Sequence, residues 1–180
     1  MAQPVLQLEK LLDEKKIAAR VKELGAEIIK KIGSAKEDLI AVCVLKGSFI
    51  FYSDLVRCLD ADVRLDFMGT ASYGNSTKSS GEVKLTLDLT TAIQGKNVLL
   101  IEDIIDTGLT MDFLTKTLAA RKPKKIYTAA LLFKPAALKV DFKPDFVGFE
   151  VGNEFVVGYG LDYQGYYRNL PYIAQVTSLN

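Results

Sequence analysis

A chain of 180 residues that is 49% hydrophobic, with a mean hydropathy of +0.15, has the material for one compact domain with a sizeable core. Its 23 Lys and Arg against 22 Asp and Glu leave a formal net charge of +1, which argues against the strong basic field of a dedicated nucleic-acid binder. It has no histidine, so zinc sites built on imidazole and histidine general bases are excluded.

The two cysteines, Cys43 in an apolar run and Cys58 beyond it, read as small buried hydrophobes rather than a disulfide framework. The first residues, MAQPVLQLEKLLDEKK, carry acidic side chains and lack the apolar centre of a secretory signal. No apolar run approaches the roughly 20 residues that cross a bilayer. A cytoplasmic protein without membrane or nucleic-acid partners is the expectation.

In chain order, Ile17, Val21, Leu24, Ile28 and Ile32 recur at helical spacing, with Asp13 placed to cap the start and Gly33 to end it. LIAVCVL, 39 to 45, is a continuous apolar run of the kind parallel strands show when both faces are covered, and SFIFYSDLVRCL after it suits a helix. VRLDFM from 63 reads as a strand, and VKLTLDL from 83 to 89 alternates like a half-exposed one. Between them lies the polar, glycine-punctuated loop ASYGNSTKSSGE. A strand over 98 to 101 ending at Glu102, a helix from Thr110 to Arg121 and a buried strand IYTAALLF from 126 follow. This alternation predicts an α/β domain with a central, mostly parallel sheet flanked by helices. After Pro135 the chain turns to short pieces rich in Phe, Tyr and Gly: DFVGFEV, EFVVGYGLDY and PYIAQV. With the N-terminal segment these predict a small hood over the open end of the sheet, the core running from about 35 to 134 and the hood over about 1–12 and 135–180.

The segment VLLIEDIIDTGLTM, Val98 to Met111, drives a buried strand into Glu102, Asp103 and Asp106. Open α/β sheets bind ligands at the carboxyl ends of their strands. A helix start with free amides, the glycine Gly108 and the hydroxyls of Thr107 and Thr110 make a phosphate cradle, while the carboxylates suit sugar hydroxyls or Mg²⁺. The combination points to a phosphorylated sugar. No GxxxxGK(S/T) is present, which removes the P-loop reading, and LIAVCVLKG lacks the acidic pair of a receiver domain. A solvated acidic turn remains the alternative.

VLLIEDIIDTGLTM resembles the phosphoribosyl-pyrophosphate (PRPP) signature of type I phosphoribosyltransferases. Together with ARVKELG, VLKGSF, SYGNST, LLFKP, PDFVGFEV and FVVGYGLDYQGYYRNLPYI, it resembles the hypoxanthine-guanine phosphoribosyltransferases over nearly the whole chain. The resemblance implies transfer of a phosphoribosyl group from Mg-PRPP to N9 of hypoxanthine or guanine. It places Glu102 and Asp103 at the ribose hydroxyls and a Mg²⁺, and the segment Asp106, Thr107, Gly108, Leu109 and Thr110 at the 5′-phosphate. Asp106 would lie beside purine N7 as general base or acid. Lys134 would donate to the purine O6, Phe155 would stack on the base, the Val156 backbone would read its edge and Asp162 would help hold Mg²⁺. Lys46, Gly47 and Arg168 would grip pyrophosphate, the Lys46–Gly47 peptide being one that can be cis in the family. Ser72 and Tyr73 would begin a loop that closes over the reacting centre.

Read from the residues alone, Lys134 is an exposed strand-end lysine, Phe155 a core residue and Asp162 a solvated carboxylate; the resemblance reverses all three. Two positions depart from some relatives, Leu109 where they have lysine and Ser48 where they have a second glycine. The alternatives are a phosphoribosyltransferase preferring xanthine, and a PRPP-sensing regulator that binds nucleic acid on the same scaffold. Assembly as a dimer or tetramer is also implied by the resemblance.

Overall fold

The computed structural model describes residues 6–33, 38–72 and 83–179. In chain order they form β1 (Leu6–Leu12), α1 (Glu14–Ile32), β2 (Leu39–Leu45), α2 (Phe49–Val56), β3 (Val63–Ser72), β4 (Val83–Leu87), β5 (Asn97–Ile105), α3 (Leu109–Ala119), β6 (Lys125–Phe133), β7 (Phe146–Glu150), β8 (Val156–Val157) and β9 (Ile173–Leu179). Helix α1 has the ends its sequence predicts. The Asp13 side chain accepts the Lys16 amide at 2.9 Å, and the amide of Gly33 donates to the Ile29 carbonyl. Ile17, Val21, Leu24, Ile28 and Ile32 form its buried stripe.

The main sheet runs β4-β3-β2-β5-β6-β7, antiparallel only between β3 and β4. Strands β2 and β5 are buried on both faces because helices cover both, which is why their sequences are apolar runs rather than alternations. On one face α1 and α2 bring Leu24, Ile28, Phe51 and Leu55 against Ala41, Cys43, Leu99 and Ile101. On the other, Met111, Leu114 and Leu118 of α3 pack against Ile40, Val42, Val98 and Leu100. The β2-α2-β3 and β5-α3-β6 units step away from each other across the sheet, so the carboxyl ends of β2 and β5 flank the crevice where such sheets bind ligands.

The hood is a three-stranded antiparallel sheet, β1-β9-β8. Its residues Leu12, Val156, Tyr159, Leu161 and Ile173 belong to the same buried cluster as α1 and α2, so hood and sheet share one core. Both cysteines are free, Cys43 buried and Cys58 partly so.

Three expectations change. Strand β5 does not stop at Glu102; it continues through Asp103 to Ile105, because Ile104 and Ile105 keep pairing with Leu132 and Phe133 of β6. DFVGFEV, expected in the hood, supplies β7, the parallel edge of the main sheet, where Arg20 of α1 donates to the Val147 and Gly148 carbonyls at 2.9 Å each. EFVVGYGLDY is strand only at Val156–Val157, since Gly158 and Gly160, at φ 99° and 102°, turn the chain back. Of the expected closing loop, Ser72 ends β3 opposite Val83, whereas Tyr73 lies outside the described residues.

Away from the crevice, buried Asp66 ties β3 to the segment after β4. Its carboxylate accepts the amides of Phe67 at 2.8 Å, Thr90 at 3.0 Å and Thr91 at 2.8 Å. Burial works to raise its pKa, but the bonds from Phe67, Thr91 and Thr90 prevail and hold it below the usual carboxylate value. A depressed carboxylate pKa contributes stability above the unfolded value and loses it as pH falls through the folded one. Asp66→Ala should therefore lower the free energy of unfolding by about 2 kcal/mol in urea titrations at pH 7, with the deficit narrowing in acid.

Candidate active site

Three parallel strands deliver the chemistry at their carboxyl ends: β2 the Lys46–Gly47 turn, β5 the acidic run, and β6 Lys134. Asp103, Asp106, Lys134, Phe155, Val156 and Asp162 line one cleft of about 240 Å³ between sheet and hood, with Ile104 and Leu161 completing its wall. Glu102 is buried just behind this lining, where its Oε1 accepts the Asp103 amide at 3.3 Å. Asp103 is buried as well, its Oδ1 accepting the Ile104 amide at 2.9 Å.

Asp103 lies hard against Gly47. A Cβ on that glycine would sit 1.7 Å from Asp103 Oδ2, so any side chain there would force the carboxylate to move. A non-proline cis peptide stands at Leu45–Lys46, one bond before the Lys46–Gly47 peptide that can be cis in the family. Ser48, the departure from a second glycine, is fully buried and donates its hydroxyl to the Val44 carbonyl at 2.6 Å. It fastens the turn from within.

After β5, Asp106, Thr107 and Gly108 turn into α3. Gly108 is left-handed, at φ 79°, and its Cβ would meet Val140 at 2.9 Å and Leu138 at 3.0 Å. Having no side chain, it cannot cap the helix itself. The first amides of α3, at Leu109 and Thr110, are thereby left for an anion, in the field of the positive end of the helix dipole.

The bland readings of Lys134 and Phe155 are both inverted. Lys134 is only 6% exposed, with its Nζ 2.9 Å from the Glu154 carbonyl and 3.5 Å from Asp106 Oδ2. Phe155 is 50% exposed, its ring edge-on to Tyr163 with centroids 5.8 Å apart. A buried ammonium and an exposed aromatic at one cleft are costly for a structural role and suited to a planar ligand with an acceptor at its edge. Arg168 closes the far side. Its guanidinium donates to Asp162 Oδ1 and to the Gly160 carbonyl, each at 2.6 Å, while Asp162 Oδ2 accepts the Gly165 amide at 2.7 Å. Glu154 and Leu161 were not singled out in the sequence; nothing in their spacing marks a carbonyl that holds a lysine or an apolar wall.

Burial, then the charge of Asp103, pushes the Glu102 carboxyl well above its usual range, and burial pushes Asp103 up against the counter-pull of the Ile104 amide and Arg168. A divalent cation such as Mg²⁺ beside them would favour the ionised forms that burial opposes; among the described residues no group of three or more acidic side chains is placed to enclose such an ion, so it would bind through one or two carboxylates and take its other oxygens from substrate and water.

A parallel sheet that brings a buried acidic pair, an uncapped helix start and a guanidinium to its switch point, roofed by an aromatic hood, defines an α/β enzyme that handles a phosphorylated sugar and a planar base. The phosphoribosyl transferase domain model matches residues 7–164, and the chain belongs to that family. It is 51% identical over 163 residues to the hypoxanthine-guanine phosphoribosyltransferase of Bacillus subtilis strain 168, covering 91% of this chain and 89% of the relative. It is 50% identical to the enzyme of the same description from Aquifex aeolicus, covering 94% of each. A crystal structure of a hypoxanthine-guanine phosphoribosyltransferase from Bacillus anthracis, with HEPES in its active site, superposes with a TM-score of 0.89 at 44% identity, covering 96% of this chain and 99% of the other.

The raised carboxyls have a stability consequence. A raised acid pKa favours the protonated form in the folded state, so its contribution is present below the unfolded pKa and is lost as pH rises through the folded one. Glu102→Gln removes the ionisation that burial opposes. It should raise Tm by about 2–4 °C at pH 7.5, the gain fading toward pH 4 in calorimetric scans.

Proposed function

We propose that the protein transfers the phosphoribosyl group of PRPP to N9 of a 6-oxopurine, hypoxanthine or guanine, releasing pyrophosphate and forming IMP or GMP in purine salvage. The observation that carries this reading is the buried Lys134 ammonium beside Asp106, in the cleft that the half-exposed Phe155 also lines. An ammonium only donates; it matches the O6 acceptor of hypoxanthine or guanine and is mismatched to the amino group of adenine.

In the reaction the bond from C1′ to the pyrophosphate oxygen breaks, the bond from C1′ to N9 forms, and the purine gives up one proton. Asp106 is the base for that proton at N7, and its charge stabilises the cation-like ribose as pyrophosphate departs. The Lys134 ammonium, drawing electron density toward O6, makes the purine proton easier to lose. Glu102 and Asp103 take the ribose 2′ and 3′ hydroxyls, and the amides and hydroxyls from Thr107 to Thr110 take the 5′-phosphate. The turn amides survive the Leu109 departure from lysine because backbone donors do not depend on side-chain identity. Gly47, the Lys46 turn and Arg168 hold pyrophosphate, the guanidinium offering a fork of donors to its oxygens. Mg²⁺, held by Asp103 and Asp162 with Glu102 behind them, would supply positive charge to the PRPP oxygens when bound. With hood and sheet shielding the cleft, water is kept from the reacting carbon.

Steady-state assays with hypoxanthine, guanine, xanthine and adenine at saturating Mg-PRPP test the reading. Turnover of hypoxanthine or guanine with none of adenine is the expected result; turnover confined to xanthine would move the protein to the alternative. Asp106→Asn should lower kcat about 10²–10⁴-fold, the range for a positioned acid–base group, while PRPP still binds in calorimetry.

We also propose that the protein works as a homo-oligomer, in the cytoplasm. Leu65 and Phe67 of β3 and Leu87 of β4, whose pairing with Gly69 places it on the same face, form an apolar patch that Phe49 of α2 extends. These four are between 41% and 51% exposed, and a second copy of the chain would cover them. Among the described residues, no helix is long and apolar enough to cross a membrane. Light scattering on a Leu65→Glu, Phe67→Glu double variant should read a monomer mass where the parent reads at least a dimer.

A further inference from the structure

Tyr159 is built into the protein at a cost that the reaction chemistry leaves unexplained. It is a buried tyrosine in the left-handed region, at φ 50°, between two glycines that are also left-handed. Its hydroxyl donates to Asp54 Oδ2 of α2 at 2.5 Å, across 105 positions of sequence. Burial, then the Asp54 carboxylate beside it, pushes the phenol pKa up, so the hydroxyl stays a donor at any working pH. The main chain around it is equally constrained: the Tyr159 amide donates to the Leu170 carbonyl at 2.8 Å and the Gly160 amide to the Arg168 carbonyl at 2.9 Å.

Two contacts connect this point to the crevice. A Cβ at Gly160 would sit 2.0 Å from the Gly47 carbonyl, so the hood touches the Lys46–Gly47 turn here with nothing between. The Arg168 guanidinium returns to the Gly160 carbonyl at 2.6 Å. Residues 159 and 160 therefore join Arg168 to the turn, and Asp54 belongs to the helix that leaves that turn. The base side is held by other means. Val156 and Val157 pair with Gln175 and Ala174 of β9, the Val176 amide donates to the Phe155 carbonyl at 2.8 Å, and Lys134 is fixed by the Glu154 carbonyl.

We propose that the Tyr159–Asp54 hydrogen bond is a positioning latch that sets the spacing between Arg168 on the hood and the Lys46–Gly47 turn on the sheet, and so tunes binding of the diphosphate moiety independently of the purine. This inference rests on the reading that those two elements hold pyrophosphate. A latch of this kind acts through other residues; neither Tyr159 nor Asp54 touches substrate.

Tyr159→Phe removes only the hydroxyl. It should raise KM for PRPP, and for pyrophosphate in the reverse reaction from IMP, roughly fivefold to tenfold, less than the full worth of a hydrogen bond to a charged group because the latch acts through other residues, while KM for hypoxanthine stays within about twofold. Asp54→Ala, on the partly exposed side of the latch, should reproduce that split without the risk of a core defect, and the double variant should be no worse than either single one. Asp54→Asn, which keeps an acceptor oxygen, should restore KM for PRPP to near the parent value. Equal changes in KM for both substrates, additive single variants, or an Asp54→Asn variant as impaired as Asp54→Ala would each overturn the latch. Failure of the parent enzyme to make IMP and pyrophosphate would instead overturn the underlying reading.

Discussion

The whole crevice depends on one steric fact, the contact between the Asp103 carboxylate and Gly47. An acidic residue at the buried end of a parallel strand must have room and donors; β5 supplies the donors from its own backbone but not the room. Room comes from the missing side chain at Gly47, where even a methyl group would collide at 1.7 Å. Donors come from the chain's own amides, Ile104 to Asp103 and Asp103 to Glu102. Burial still leaves both carboxyls pushed toward their protonated forms, so the protein holds at its switch point a pair of acids poised to gain from a cation or from sugar hydroxyls. The cost in stability is local, and the doubly covered sheet around it, with Leu99, Leu100 and Ile101 fully buried just upstream, absorbs it.

From that contact the division of labour follows. Strand β5 supplies acids and is followed at Gly108 by a helix start without a side-chain cap, so the proposed sugar and phosphate recognition is local in sequence. Recognition of the planar base is assembled from distant pieces, β6 for Lys134 and the hood for Phe155 and Val156. The hood can do this because its apolar residues continue the core of α1 and α2 instead of forming a separate one. In the proposed reading, the base and phosphoribosyl sites are set by different parts of the fold and meet at Asp106 and Lys134.

How much of this was legible depended on whether a signal was local. Helix α1 was readable to its caps, because Asp13, the 3.6-residue stripe and Gly33 all act within a few residues. Strand β2 was readable because seven apolar residues between turns leave few alternatives. The end of β5 was misplaced, since acidic residues normally mark a strand's exit to solvent and only the partner strand β6 shows that pairing continues to Ile105. The assignment of β7 to the hood failed for the same reason: its composition resembles the hood segments, and its place is decided by the ladder to β6 and by Arg20, 127 and 128 positions away from the carbonyls it binds. At the site, six of the residues named through the resemblance, Asp103, Asp106, Lys134, Phe155, Val156 and Asp162, line one cleft, whereas residue-by-residue priors put Lys134 at the surface and Phe155 inside. The glycines of VVGYGLD did announce a turn, but that the tyrosine between them reaches α2 is a tertiary fact.

The inversion at Lys134 and Phe155 carries the widest implication for specificity. A lysine 6% exposed must have its charge compensated, and here the compensation comes from the Glu154 carbonyl and from the carboxylate of Asp106, which lines the cleft. In the proposed reading, the same ammonium serves the recognition of O6 and the electrostatic surroundings of the base Asp106. A purine that fails to present an acceptor to Lys134 leaves an unmatched buried donor against an amino group, and it also leaves Asp106 paired with that lysine instead of freed toward N7. Discrimination against adenine is then expressed in turnover as well as in affinity, because a single buried charge serves both steps.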